Sequence, residues 1–402
     1  MERNLPLVTV IVVTINNMNL LINCLRSLYA QDYVPLEIIV IDNASDKDVQ
    51  GMLAEESPRV RVVRLDKNHG FAGGNNRGIE IAQGKYIALI NNDAVAAPQW
   101  ISSLVATAES DANIGAVASV VIDGNRPDVL DSCGVGVALD GMSRQAMRGM
   151  PVPQLTQPRE VLLFSGCACL LKRKALKEVG LFDEDFFAYC EDTDLGLRLR
   201  RAGWNIVVAP GAYVQHFYSM TGGKFSLQKI YWVERNHFWV AIKNFPWFLL
   251  IVVPLVTVWR YIVQIYFVLK VDGELNKFTK GNDLSAIALT CLKAYVDILA
   301  KLPAMLAKRL EFRKKHRLSN IAMFKLICKY RCFRIKYRFR ELFCPGIVDA
   351  SFPKRFPLRS RYPQASGEQD AQGSKPVDPF YPNGQCRLLR IDLADKLFLV
   401  VD

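Results

Sequence analysis

Carboxylates and amides collect at a few points of this chain, and their spacing suggests what they do. Glu191-Asp192-Thr193-Asp194 opens a helical pattern. Acids in a first helical turn gain from the N-terminal end of the helix dipole, so the cluster needs no reaction to explain it. Asp194 and Arg198 stand four residues apart, the spacing of a helical ion pair, which gives Asp194 a structural part. Asp192 is then left to act as a general base. Phe186, Phe187 and Tyr189 just before it lower the local polarity, which raises a carboxyl pKa.

Asn91-Asn92-Asp93 follows an apolar run. A carboxylate flanked by amides suits a hard cation bridging two phosphates, but one carboxylate needs further ligands. Asp42 ends another apolar run, where it can accept a hydrogen bond from a nucleobase N–H. The stretch His69 to Asn76 reads HGFAGGNN. Its backbone N–H groups at a helix start can hold an anion, and a tight turn explains the same glycines equally well. It is neither GxGxxG nor a P-loop, so no dinucleotide or Walker-type site follows. His216 is one of four histidines; a lone histidine is more often structural than a ligand.

These residues need elements to position them. Over the first 120 residues, short β-branched runs alternate with amphipathic stretches: strands at 8–14, 36–41, 60–65, 86–90 and 114–121, with helices near 46–56, 74–83 and 98–109. Leu21, Leu25 and Leu28 mark a further helix that Asn19 can cap. This alternation predicts an α/β fold with a mainly parallel sheet. Ligands in open α/β sheets bind beyond the carboxyl ends of the strands. Four such ends here are polar: Asn16 and Asn17, Asp42 and Asn43, Asn68 and His69, and Asn91 to Asp93. Residues 123–158 lose the pattern and read as a variable, partly extended segment. Order returns with an extended run at 161–171, helices near 173–179 and 192–202, and a strand at 204–209.

The chain has 402 residues, enough for two or three domains, and is 50% hydrophobic, too apolar for a mainly disordered protein. Its net charge of +12 is concentrated: residues 301–340 hold 14 Lys and Arg against the single acid Glu311, a local +13 that leaves the rest at −1. Ten scattered cysteines without a CxxC pair argue against a disulfide framework. No secretory pattern precedes the first strand, so the body is expected in the cytosol.

Three segments are expected: 1–240 as the catalytic domain, 241–341 as apolar and basic helices, and 342–402 as a partly irregular tail with a short element near 387–401. Residues 244–269 are long enough to cross a bilayer, but Pro254 and Arg260 interrupt them. One crossing would also put the basic belt opposite the cytosolic body, against the positive-inside tendency. The expectation is an in-plane or re-entrant attachment. Aromatics such as Phe312, Phe324, Tyr330, Phe333, Tyr337 and Phe339 interleave with the basic residues. Beside apolar helices this pattern favours an anionic membrane surface over nucleic acid, and no nucleic-acid partner is expected.

Together the motifs resemble the family 2 glycosyltransferases, most of all the bacterial rhamnosyltransferase-type and galactofuranosyltransferase-type members. The resemblance spans about residues 7–240. It rests on VTVIVVTINN at 8–17, IIVIDNASDK at 38–47, NHGFAGGNNRGI at 68–79, NND at 91–93, SGCACLLKR at 165–173 and FFAYCEDTDLGLRLRRAGW at 186–204. It implies a GT-A fold followed by membrane-associated helices, and a nucleoside-diphosphate-sugar donor held by Thr14, Asn16, Asp42, Asn68, Gly70, Phe71, Asn75 and Asn92. It implies a divalent metal, Mg or Mn, on Asp93, the last acid of a DxD-type motif in which Asn91 replaces the first. It implies Asp192 as the catalytic base, with Glu191 and Asp194 on the acceptor side or in support.

His216, 24 residues beyond Asp192, is similarly placed to a metal-ligating histidine of the galactofuranosyltransferase-type members. The implied reaction is inverting transfer to a glycan or polyprenyl-linked acceptor at the cytoplasmic face of the inner membrane, in cell-envelope polysaccharide synthesis. The QxxRW motif of the family's processive synthases is not found. The competing readings are a nucleotidyltransferase and a non-catalytic adaptor using the basic belt.

Overall fold

A computed structural model describes residues 5–57, 59–217, 226–270 and 284–330. The first strand sets the architecture. β1 (Val8–Thr14) is flanked in parallel by β2 (Leu36–Asp42) and β4 (Tyr86–Ile90), and β3 (Arg61–Arg64) extends the sheet beyond β2. On the other side of β4 the order runs β11 (Ala168–Lys172), β6 (Ile114–Asp123) and β12 (Asn205–His216). β11 is antiparallel to both neighbours, whereas β6 and β12 pair in parallel. The sheet is therefore mainly parallel, as expected, with β11 reversed near its middle.

Side chains alternate across the sheet, and both faces are buried. Val8, Val10 and Val12 face a core shared with Leu21, Leu25 and Leu28 of α1 (Met18–Tyr29) and Trp100 and Leu104 of α4 (Trp100–Ser110). Ile11, Ile39 and Ile41 face the opposite core, with Ile79 of α3 (Gly70–Ile81), Leu176 of α5 (Arg173–Val179) and Leu195 of α6 (Glu191–Arg201). α2 (Val49–Glu56) sits between β2 and β3 in the chain.

Several local expectations change. Asn17, not Asn19, precedes α1, and it makes no side-chain cap. α3 begins at Gly70, earlier than expected. The late strand continues to His216, with register shifts that let it bend. The variable stretch is partly extended, as read: β7 (Arg126–Cys133) pairs with β6, and β8 (Val135–Val137) pairs with β9 (Ser143–Gln145). β5 (Ala94–Ala96) and β10 (Arg159–Glu160) both pair with β12.

The composition change near 240 does not end an element. α7 (Leu227–Asn244) runs through it, followed by a 3-10 turn (Trp247–Ile251), α8 (Val252–Lys270), α9 (Leu284–Arg313) and α10 (Asn320–Lys329). Pro254 falls in the first turn of α8, where a missing N–H is tolerated. Arg260 is fully buried in protein: its guanidinium holds Glu234 at 2.6 and 2.7 Å and Asp140 at 3.1 Å. The interruption that counts against a bilayer span is thus an anchor of α8 onto the α/β body. Among the described residues no helix is long and apolar enough to cross a membrane. The expected tail at 342–402, its short element near 387–401, and Phe333, Tyr337 and Phe339 lie outside the described residues.

Candidate active site

The carboxyl ends of β1, β2 and β4 bring the polar residues together. Thr14 and Asn92 are buried, and the Asn92 amide donates to Thr14 Oγ1 at 3.0 Å, joining the ends of β1 and β4. Asp42 is buried at the end of β2. Its Oδ1 accepts from the Ser45 N–H at 2.9 Å, while Oδ2 lies 3.3 Å from Arg64 Nη1 and has no hydrogen-bond partner. Asn16, at φ 58°, spends its amide on Asp46: Nδ2 donates to Oδ2 at 3.1 Å, and Oδ1 accepts from the Asp46 N–H at 2.7 Å. It shapes the loop after β2.

The loop into α3 is held from β2. Asn43 donates to Asn68 Oδ1 at 3.0 Å and to the Gly70 carbonyl at 3.1 Å, and accepts from the His69 N–H at 2.9 Å. Asn68 Oδ1 also accepts from the Gly70 N–H at 2.8 Å. Gly70 stands at φ +69°, and a Cβ there would come within 2.3 Å of the Phe187 carbonyl oxygen, which instead accepts from the Ala72 N–H at 3.1 Å. Only glycine allows this approach. Phe71 packs edge-on against Phe182, and Asn75 is buried with its amide on the Phe71 carbonyl at 2.9 Å. Both stabilise the loop from behind.

Asp93 and His216 meet through strand register. His216 pairs with Ala94 across β12 and β5, which places its ring beside Asp93, and Nε2 lies 3.4 Å from Asp93 Oδ1. On the other side of the ring, Nδ1 is 2.8 Å from Asp131 Oδ2, while Arg148 Nε lies 3.4 Å from the second Asp131 oxygen. Asp131 comes from β7, within the stretch that reads as variable, and nothing in the sequence marks it out.

A carboxylate on one ring nitrogen is the usual way a metal-binding imidazole is oriented: Nδ1 carries the proton, and Nε2 is turned toward the ligand. Burial opposes protonation of His216, but Cys167, Asp131 and Asp93 outweigh it and raise its pKa. A cation held here therefore takes the place of a proton. Among the described residues no group of three or more His, Cys, Asp or Glu side chains is arranged to hold a metal. Asp93 and His216 would supply two donors to a divalent ion, which would need further ligands from outside the chain.

Asp192 lies in the first turn of α6. Its Oδ2 accepts from the Gly166 N–H at 2.9 Å and its Oδ1 from the Thr193 N–H at 2.6 Å. Burial pushes its carboxyl above the ordinary range, against these donors. The next residue joins the other half of the site: the Cys167 carbonyl accepts from the Asn91 N–H at 2.8 Å, and the Cys167 thiol contacts His216. Two consecutive residues thus connect Asp192 with the Asp93 and His216 pair.

Glu191 is buried, with Oε2 unpartnered. Burial first, then the charges of Asp192 and Asp194, raise its pKa, so it is a buried neighbour of Asp192. Asp194 is paired with Arg198 at 2.9 Å and Lys243 at 2.9 Å, as its spacing predicts.

The chain leading into Asp192 is strained. Phe187, Tyr189 and Cys190 have φ of 64°, 68° and 68°, a conformation that costs energy unless neighbours enforce it. Asn236 of α7 enforces it, its amide meeting the carbonyls of Phe186, Ala188 and Tyr189 at 3.0, 2.9 and 2.8 Å. Arg235 adds bonds to the carbonyls of Asp185 and Phe186 at 3.0 and 3.2 Å. Sequence reading misses both, because helical spacing does not say which polar side chain turns inward.

Residues 6–242 match the family model described as glycosyltransferase like family 2. The chain belongs to this family. Its α/β fold with a mixed, mainly parallel sheet is the family's GT-A fold. It is 26% identical to the O-antigen biosynthesis protein RfbC of Myxococcus xanthus, over 61% of this chain and 20% of that protein. It is 28% identical to the succinoglycan biosynthesis protein ExoO of Rhizobium meliloti, over 52% of this chain and 61% of that one. It is 29% identical to an N-acetylglucosaminyl-diphospho-decaprenol L-rhamnosyltransferase of Mycobacterium tuberculosis, over 47% and 69%. The chain spans less than two thirds of the first two of these relatives. A crystal structure of GalNAc-T7 with UDP, GalNAc and Mn2+ matches at a TM-score of 0.49 and 17% identity, covering 60% of this chain and 52% of that one.

Proposed function

We propose that this family 2 glycosyltransferase moves a sugar from a nucleoside-diphosphate donor to a glycan or polyprenyl-linked acceptor, with inversion, in cell-envelope polysaccharide synthesis. The cytoplasmic face of the cell membrane is its place of work. The observation that carries the reading is the Gly166–Cys167 connection, which sets a raised-pKa carboxylate beside a carboxylate and imidazole pair. A transferase needs both: a base for the acceptor and a counter-charge for the departing diphosphate. The relatives named for O-antigen, succinoglycan and rhamnosyl transfer support the envelope setting.

In this mechanism Asp42 accepts from the base, and the loop at Asn68 and Gly70, held in shape by Asn43, lies against the ribose and diphosphate. Asp93 and His216 would hold Mg or Mn, which would supply positive charge against the diphosphate. Asp192 takes the proton of the acceptor hydroxyl. The acceptor oxygen bonds to the anomeric carbon as the bond from that carbon to the phosphate oxygen breaks, and the electron pair leaves with the nucleoside diphosphate.

The test is release of nucleoside diphosphate by the purified chain from a panel of UDP-, dTDP- and GDP-sugars. The expected result is metal-dependent release from one donor. Pyrophosphate as the product would point instead to nucleotidyl transfer. Failure of every donor to bind by calorimetry would overturn the donor site.

A further inference from the structure

α8 and α9 turn large apolar side chains outward in regular stripes. On α8, Val253, Thr257, Arg260 and Val263 face the protein, whereas Leu255, Val258, Trp259 and Ile262 are 38–67% exposed, with Trp247 at 63% and Ile251 at 69% just before them. On α9, Ala294, Ile298, Met305 and Phe312 pack inward, whereas Leu289, Leu292, Val296, Leu299, Leu306 and Leu310 are 40–70% exposed. Both stripes recur at three and four residues, so each is one helix face. The helices are neighbours: Tyr261 and Tyr295 meet hydroxyl to hydroxyl at 3.1 Å. Soluble monomers rarely leave so large an apolar surface uncovered.

Charge selects what covers it. Lys293, four residues after Leu289 with its ammonium 5.3 Å from the Tyr231 ring centroid, Arg313 at the end of α9, and Lys314 just beyond it are all exposed. Arg313 and Lys314 belong to the most basic stretch of the chain, 301–340. A second copy would bring like charge against like charge, whereas an anionic bilayer neutralises it. Arg260 commits the other side of α8 to Glu234 and Asp140, so the helices lie along the surface rather than across a membrane. Tryptophan at the edge of such a face suits the headgroup layer.

We propose that the outward faces of α8 and α9 form an in-plane docking face for an anionic lipid bilayer. This deepens the membrane placement proposed above and rests on it, not on the sugar chemistry. The face is joined to the active site. Lys308 of α9 holds Asp183 and Asp185 at 2.5 and 2.7 Å, and Asp185 lies in the loop that Arg235 and Asn236 pin before Asp192. Docking therefore holds the acceptor side of the site at a fixed place relative to the lipid.

The test is co-sedimentation of the full chain with vesicles of phosphatidylcholine alone and of phosphatidylcholine with phosphatidylglycerol. The wild type is expected to pellet with the mixed vesicles, less so at high salt. Lys293→Gln with Arg313→Gln and Lys314→Gln should weaken that binding about a hundredfold. Leu255→Ser with Leu292→Ser and Leu299→Ser should weaken it at least about tenfold. All six positions are exposed, and thermal melting checks that both variants fold. Nucleoside-diphosphate release, read separately in detergent, should be unchanged in both, so failure of the transferase reading would not touch the vesicle result. A wild type that stays in the supernatant, or variants that bind as it does, would overturn the proposal. So would a wild-type dimer in the ultracentrifuge that the triple serine variant makes monomeric.

Discussion

His216 Nδ1 lies 2.8 Å from Asp131 Oδ2, and this bond turns the opposite nitrogen toward Asp93. The first prediction follows from it. Asp131→Ala frees the ring to rotate and removes the acceptor that fixes its tautomer. Losses of this kind weaken metal binding by about 10–100-fold. Titration calorimetry with Mn, with nucleoside diphosphate present, should show that loss while nucleotide affinity without metal is kept. Unchanged Mn affinity would remove Asp131 from the metal site.

Asp192 should set the acid limb of the rate profile. Burial raises its pKa despite the Gly166 and Thr193 donors. A base must be deprotonated to act, so activity falls as pH drops through its pKa, which lies above the ordinary aspartate value of about 3.9. A plot of kcat/KM against pH should bend at that raised value. A limb at or below the ordinary value would contradict the burial argument.

Asp194 holds structure rather than chemistry. Burial opposes its ionisation, but Lys243 and Arg198 more than offset that and depress its pKa. The stability it contributes is therefore complete above its unfolded pKa of about 3.9. That stability is lost as pH falls through the lower folded value. Asp194→Asn strips the buried Arg198 of its carboxylate and leaves Lys243 with Asp183 alone, and should cost about 3 kcal/mol. Denaturant unfolding at neutral pH measures the loss, and a change under about 1 kcal/mol would assign the pair no more than a surface bridge's worth.

Gly70 should not tolerate a methyl group. At φ +69° an alanine pays at least about 1 kcal/mol in backbone strain. Its Cβ also displaces the Phe187 carbonyl from the Ala72 N–H. Gly70→Ala is expected to lower both the melting temperature and donor affinity. An alanine variant with wild-type affinity would show that the loop geometry does not shape the donor site.

Arg260 should matter more to α8 than any apolar residue on its outer face. Arg260→Leu leaves Glu234 and Asp140 buried without their cation, a loss of about 3–5 kcal/mol. Limited proteolysis should then cut near α8 sooner than in the wild type. Equal protection would mean that packing alone holds the helix.

Much of the frame was legible because each signal was local. β1, β2 and β4 read directly from β-branched runs, and Asp192 and Asp93 stand out by type and spacing, whereas His216 drew its role from the family resemblance alone. What was missed depends on distant partners. The start of α3 is hidden because Gly70, Gly73 and Gly74 disfavour a helix, and contacts from Asn43 and Phe187 impose it. Asp131 meets a histidine 85 positions away only through strand registers that shift along β6 and β7. Arg260 reads as an interruption of an apolar stretch, since its buried carboxylates lie on α7 and in the loop between β8 and β9.

The most direct test of the central claim compares the wild type with Asp192→Asn on one donor and acceptor. The account predicts unchanged donor affinity by calorimetry and a fall in kcat of about 100- to 10,000-fold, the range for losing a general base. Wild-type turnover by Asp192→Asn would contradict it.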